Sequence, residues 1–175
     1  MTYRARDVLA DCRIALTMLE EEPDPQRWRI QWAGAMALTR AVGHVLDKVD
    51  GADPVLKQVS NEFFKKWKTE PEHEIFTSFI ERERNGVLKE YAGDVHPLDE
   101  VPVVLQAVAI PPGGGEPKMI GDVMTLDENL YRPLLDGPWQ GIDCREVLGE
   151  ALDWWEEQLG QIDNEVRVRR HGGNL

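Results

Sequence analysis

Polar side chains stand where this sequence calls for apolar ones. In "RAVGH", Arg40 and His44 lie four residues apart, so on a helix they share one side. In "ERERNGVLKEY", residues 81–91, Glu83 comes four after Phe79 and four before Val87, and Arg84 four after Ile80. At about 100° per residue, Ile75, Phe76, Phe79, Ile80, Val87 and Tyr91 form one apolar face, with Glu83 near its middle and Arg84 at its edge. Each type has a chemistry: imidazole moves protons near neutral pH, guanidinium grips oxyanions, and a carboxylate on an apolar face needs a cation. Burying an isolated charge costs on the order of several kcal/mol, so the expectation is that Glu83 faces Arg40 or Arg84 between two helices, with His44 and Tyr91 close by. Arg40, His44, Glu83 and Arg84 are thus a candidate buried polar cluster. Such a cluster either fixes helix register without chemistry or forms a site.

The stretch "RNGVLKEY", residues 84–91, resembles the motif of HEPN domains, a superfamily of helical bundles that includes many prokaryotic toxin and defence ribonucleases. Arg84, Asn85, Glu90 and Tyr91 match its pattern, and Lys89 occupies the position usually held by His. The resemblance spans eight residues and implies metal-independent RNA cleavage. Arg84, Asn85, Lys89 and Tyr91 would form the catalytic set, with Arg84 steadying the scissile phosphate. Lys89 departs from the pattern: with an ordinary pKa of about 10.4, lysine is a poor general base unless strongly desolvated. The helical step also turns Lys89 towards solvent. The departure leaves two outcomes, a non-catalytic relative or one in which His44 from the neighbouring helix moves the proton.

These residues must be held by helices. Val8, Leu9, Cys12, Ala15, Leu16 and Leu19 recur at helical spacing over residues 3–21, before "EEEPDP" breaks the chain. Pro25 opens a second helix running to about Asp50, and its "IQWAGAMAL" offers no solvent face, which suggests the centre of a bundle. Asp53 and Pro54 read as N-cap and first turn of a third helix carrying Leu56, Val59, Phe63 and Trp67. Thr69 and Glu72 have capping-box spacing, predicting a fourth helix from there to about Tyr91, with Gly93 closing it. "VPVVLQAVAI" and "KMIGDVMTL", joined by "PPGGGEP", predict a β-hairpin at about 101–126. Residues 127–142 have no period. Asp143 caps a last helix whose stripe Leu148, Leu152, Trp155, Leu159, Ile162 and Val166 closes the core.

The expected architecture is mainly α: a four-helix up-and-down bundle over residues 1–92, a hairpin insertion, a closing fifth helix at 143–167 and a flexible tail at 168–175. At 175 residues the chain suits a single domain. Its formal charge of −12 disfavours general nucleic-acid binding, leaving RNA only a local basic pocket. The acidic excess is greatest over residues 101–165, with 13 acidic residues against 3 basic ones. Cys12 and Cys144 read as buried free thiols. The N-terminal stretch lacks an apolar core of signal-peptide type and no run approaches membrane-spanning length, so a cytoplasmic protein without membrane contact is expected.

Other signals carry less. Glu70 and His73 have the spacing of a carboxylate-bridged di-iron helix, but His44, His96 and His171 have no acidic residue three positions before them, so no metal or other cofactor is expected. The glycine run at 113–115 lacks the Lys-Ser/Thr of a phosphate loop. "DWWEEQ" sets Trp154 beside the core-facing Trp155, as core cover or as a partner contact. Three readings follow: a binding or interaction domain with a protein partner or a second copy, joined through the hairpin or the Trp-bearing helix; a metal-independent ribonuclease; or a small-ligand pocket lined by Trp28, Trp32, Arg40 and His44.

Overall fold

Two Asp-Pro pairs start helices for the same physical reason. A helix leaves its first N–H groups without internal partners; the Asp carboxylate satisfies them and proline brings no N–H of its own. Asp24 accepts from the Arg27 amide at 2.8 Å, and Asp53 from those of Val55 at 3.0 Å and Leu56 at 3.4 Å. The computed structural model describes residues 1–86, Val95, 101–111, 115–126, Asn129 and 131–172. Within them the protein is mainly helical: α1 (Tyr3–Glu21), α2 (Pro25–Lys48), α3 (Pro54–Thr69), the short α4 (Arg82–Asn85) and α5 (Cys144–Gly172), with one hairpin of β1 (Val101–Ala109) and β2 (Lys118–Leu126).

The core is organised around α5. Leu148, Leu152, Trp155, Leu159 and Ile162 are wholly buried, four and three apart along one stripe. The helix packs on α1 and α3, and α1 in turn packs along α2. Asp143 does cap α5, accepting from the Arg145 amide and from the Arg132 amide, both at 2.9 Å. Beyond its expected end at 167, α5 stays helical to Gly172. Arg169 explains this: its guanidinium grips both Glu62 oxygens on α3, at 3.0 and 2.7 Å. Residues 173–175 of the expected tail, the expected helix end at Tyr91 and Gly93, and the loop positions 112–114 lie outside the described residues.

The fourth segment departs from a regular α-helix. Thr69 ends α3 instead of capping the next helix, donating its hydroxyl to the Lys65 carbonyl at 2.9 Å. A 3₁₀ turn at Pro71–His73 follows, then a π-helical stretch at Phe76–Glu81, and only then α4. A second correction concerns α2. Trp28, Trp32, Met36, Val42 and Leu46 are buried, but Arg29, Ile30, Gly34 and His44 are exposed, so the helix lies at the bundle's flank with an open side. Apolar residues such as Ile30 mimic an all-round buried helix in the sequence, although single exposed apolar side chains are ordinary.

Candidate functional site

Between α2 and α3 lies a cavity of about 340 Å³, within the usual range for small-ligand sites. From α2, Arg40, Gly43, His44 and Asp47 line it, the i, i+3, i+4, i+7 face of one helix. From α3 come Ser60, Asn61, Phe64 and Trp67, and Phe76 and Trp155 complete an aromatic wall. The rings brace one another: Trp67 meets Phe76 at 5.5 Å and Trp155 at 5.3 Å between centroids. Trp67 is locked further by donating its Nε1–H to the buried Gln158 Oε1 at 2.8 Å. The Trp155 Nε1–H is buried without an acceptor among the described residues.

The polar side of the cavity is electropositive. Arg40 approaches Glu81 at 4.0 Å, and Glu81 also accepts from Lys68. Asp47 pairs with Lys48 at 3.0 Å and with Lys57. The Lys57 and then the Lys48 hydrogen bonds hold the Asp47 carboxyl below its usual range. Burial pulls the Arg40 guanidinium below its ordinary pKa; Glu81 opposes this and Arg84 adds to it. The His44 imidazole is depressed too, by desolvation first and then by Arg40 and Arg84. Five cations (Arg40, Lys48, Lys57, Lys68 and Arg84) thus gather around two carboxylates, in a chain whose net charge is −12.

The cluster expected from the sequence is therefore brought together only in part. Arg40, His44 and Arg84 are close enough for each field to reach the next. Arg84 donates to its neighbour Asn85 Oδ1 at 2.8 Å. Glu83 is indeed buried, at 4% exposure, but the carboxylate beside Arg40 is Glu81. Glu83 instead lies near the sealed Cys144 thiol, which burial pushes up, and Asp143 and Glu83 push further. Lys89 and Tyr91 lie outside the described residues.

Trp28 and Trp32 do not line this cavity. They stack on each other at 5.5 Å within the core, and the Arg132 guanidinium covers Trp28 at 4.8 Å. Geometry separates them from Arg40: twelve residues from Trp28 turn a helix by about 120° and advance it about 18 Å. Trp154 is buried as well, under Trp67 and Phe76, and donates to His73 Nδ1 at 3.2 Å. It is core, not a partner surface. Glu70 and His73 do meet, at 3.8 Å, but among the described residues no group of three or more His, Cys, Asp and Glu is placed to hold a metal.

Asp47, Lys48, Ser60, Asn61 and Glu81 were not singled out from the sequence. Asp47 was legible, seven residues after Arg40 on the same face, and Phe64 and Trp67 follow Ser60 at the same helical steps. Lys57, Lys68 and Glu81 gave no such signal, because they arrive from other elements. No helix of the described residues is long and apolar enough to cross a membrane. Comparison of the chain with protein-family models, with curated proteins and with solved structures gives no match.

Proposed function

We propose that this protein is a binding domain for a small anionic ligand bearing a planar ring, held in the cavity between α2 and α3. One observation carries the reading: a single pocket offers Arg40 and Lys48 on one wall and Phe64, Trp67, Phe76 and Trp155 on the other. Arg40 would take the anion as a fork of donors, and the rings would cover the ligand's flat part. The His44 imidazole, kept largely neutral at pH 7 by desolvation and its cationic neighbours, offers a donor and an acceptor to the ligand's polar edge. Because Trp67 and Trp155 line the pocket, occupancy changes tryptophan fluorescence.

The test titrates the protein with adenosine 5′-monophosphate, adenosine and inorganic phosphate, following fluorescence and heat. The monophosphate binds most tightly, and Arg40→Gln weakens it at least tenfold while leaving adenosine unchanged. Equal affinity for the monophosphate and adenosine, or no response to any of the three, refutes the reading. A bound anion also raises the His44 pKa, so affinity increases as pH falls through the bound-state value and levels off below the free one.

A second reading is a metal-independent ribonuclease, favoured by the proximity of Arg84 to a depressed His44. His44 would serve as the proton carrier and Arg84 would steady the phosphate. Incubation with RNA in EDTA tests it, and the same absence of cleavage by wild type and Arg84→Ala removes it.

A further inference from the structure

Both faces of the hairpin carry exposed apolar side chains, and they differ in one respect. Cross-strand register pairs Val104 with Val123, Gln106 with Gly121 and Val108 with Met119, so these residues share a face. Val104, Val108, Met119 and Val123 are 61 to 70% exposed, and that face, with Gln106 and Thr125, has no charge. The opposite face holds Leu105, Ile120 and Met124 together with Lys118 and Asp122. An antiparallel sheet normally packs its uncharged face and wets its charged one. Among the described residues the uncharged face meets no helix, and an isolated two-stranded hairpin is at best marginally stable in water.

We propose that this uncharged face is a homodimer interface, the hairpins of two copies stacking face to face about a twofold axis near Gln106 and Gly121. Self-complementarity and area argue for a second copy as the occupant. A twofold axis running along the strands at the centre of the face lays Val104 of one copy over Val123 of the other and Val108 over Met119, apolar on apolar. Gly121 leaves a hollow at that centre, since an added Cβ would meet only the Leu105 carbonyl, at 3.8 Å. Gln106 of the second copy can seat there.

An unfolded chain exposes about 1.45 Å² per dalton, so the four apolar side chains at their observed exposures present roughly 400 Å² per copy. Two copies bury roughly 800 Å² from these alone, and Gln106, Thr125 and the Gly121 backbone bring the total towards the ~1,000 Å² of a specific interface. That is the small end of the range and fits a reversible, concentration-dependent dimer. The charged faces remain in water on the outside.

Sedimentation equilibrium from low micromolar to several hundred micromolar protein tests this. The weight-average mass should rise from 19.9 kDa towards twice that value. Val123→Lys, on the uncharged face, weakens association at least tenfold, whereas Ile120→Lys on the other face leaves it within threefold. The double variant Val104→Thr/Val123→Thr keeps β-branched side chains, so it weakens association without unpairing the strands. Gln106→Cys, beside the axis, is joined to its counterpart by a bis-maleimide linker long enough to span the ~10 Å between stacked sheets, and Ile120→Cys, on the outer face, is not. A monomer throughout the range overturns the proposal, as does equal weakening by Val123→Lys and Ile120→Lys, or cross-linking at Ile120→Cys alone.

Discussion

Two glycines of α2 allow the pocket's back wall to be tested with one substitution made twice. Gly34 is exposed, and a Cβ built on it meets nothing within 4 Å. Gly43 faces the core side of the cavity: its Cβ would stand 3.1 Å from Trp155 Cη2 and 3.2 Å from Arg40 Nη1. Both changes to alanine bring the same gain in helix propensity, about 0.8–1.0 kcal/mol. Only Gly43 meets an obstacle. Carbon atoms prefer separations of about 3.5–4.0 Å, and Trp155 is fully buried and hemmed in by Trp67, Phe76 and Trp154, so it cannot easily move aside. Overpacking of this kind costs about 1–3 kcal/mol, which cancels or reverses the gain. Gly34→Ala should therefore raise Tm by about 2–4 °C, at the ~2–4 °C per kcal/mol expected for a chain of this length. Gly43→Ala should leave Tm unchanged or lower it by up to about 8 °C on the same scale. Calorimetry with matched urea unfolding reads both, and the Arg40 contact adds weaker anion binding for Gly43→Ala alone. If Gly43→Ala stabilises as much as Gly34→Ala, then Trp155 and Arg40 do not sit against α2 there, and the cavity geometry fails with them.

Both thiols should resist a thiol-reactive dye in the folded protein and react together on unfolding, because burial pushes Cys12 up to about 11 and Cys144 well above its ordinary value; prompt native-state labelling of either would contradict their placement. Gly137 holds φ of +92°, and a Cβ there would lie 2.7 Å from Arg82 Nη1, so Gly137→Ala should cost at least about 1–2 kcal/mol in urea unfolding, as left-handed backbone does for other residues. Asp143 is pulled two ways: desolvation raises its carboxyl, but the Arg145 side chain and the Arg132 and Arg145 amides outweigh this, and the net shift is down. A depressed carboxyl stabilises above its unfolded value of about 3.9, and the contribution is lost as pH falls through the folded value. Asp143→Asn should accordingly destabilise at neutral pH and converge on wild type below about pH 4; parallel stability curves down to pH 2 would exclude the linkage. Arg169→Ala should fray α5 beyond its grip on Glu62, read as faster amide exchange after residue 165 with the helix core unchanged; here Arg169 draws the Glu62 carboxyl down to about 2.

Much of the architecture was legible because it rests on local rules. Asp24-Pro25, Asp53-Pro54 and Asp143 are caps whose chemistry needs no tertiary partner, and the α5 stripe fixes its buried face by period alone. The hairpin followed from β-branched runs around a glycine-rich turn. What escaped was set by contacts between elements. Trp28 and Trp32 looked like pocket rings because tryptophan next to Arg and His suggests a site, but the rotation of α2 between positions 28 and 40 points them elsewhere. The open side of α2 escaped because Ile30 and Gly34, which stand on it, read as part of an apolar run. Lys57, Lys68 and Glu81 reach the pocket's neighbourhood only after three segments have packed.

The choice between Glu81 and Glu83 shows why a period of 3.6 could not find Arg40's partner. Two residues apart on an α-helix, these carboxylates point about 200° away from each other, so a regular helix placing Glu83 inward would send Glu81 to solvent. In the protein both turn inward: Glu83 towards the sealed Cys144, Glu81 towards Arg40 and Lys68. Opposite directions both lead inward because the segment has neighbours on either side, and the π-helical stretch Phe76–Glu81, whose i→i+5 hydrogen bonds widen the turn, sets how the buried phenylalanines lie relative to Glu81. Such wide turns are costly and tend to occur where function uses them, and this one ends on the carboxylate that holds Arg40 at the mouth of the cavity. The same turn packs Phe76 into the aromatic wall and buries Phe79 and Ile80 in the core. A regular α-helix through these residues could keep the buried phenylalanines or the Arg40 contact, and the π turn provides both.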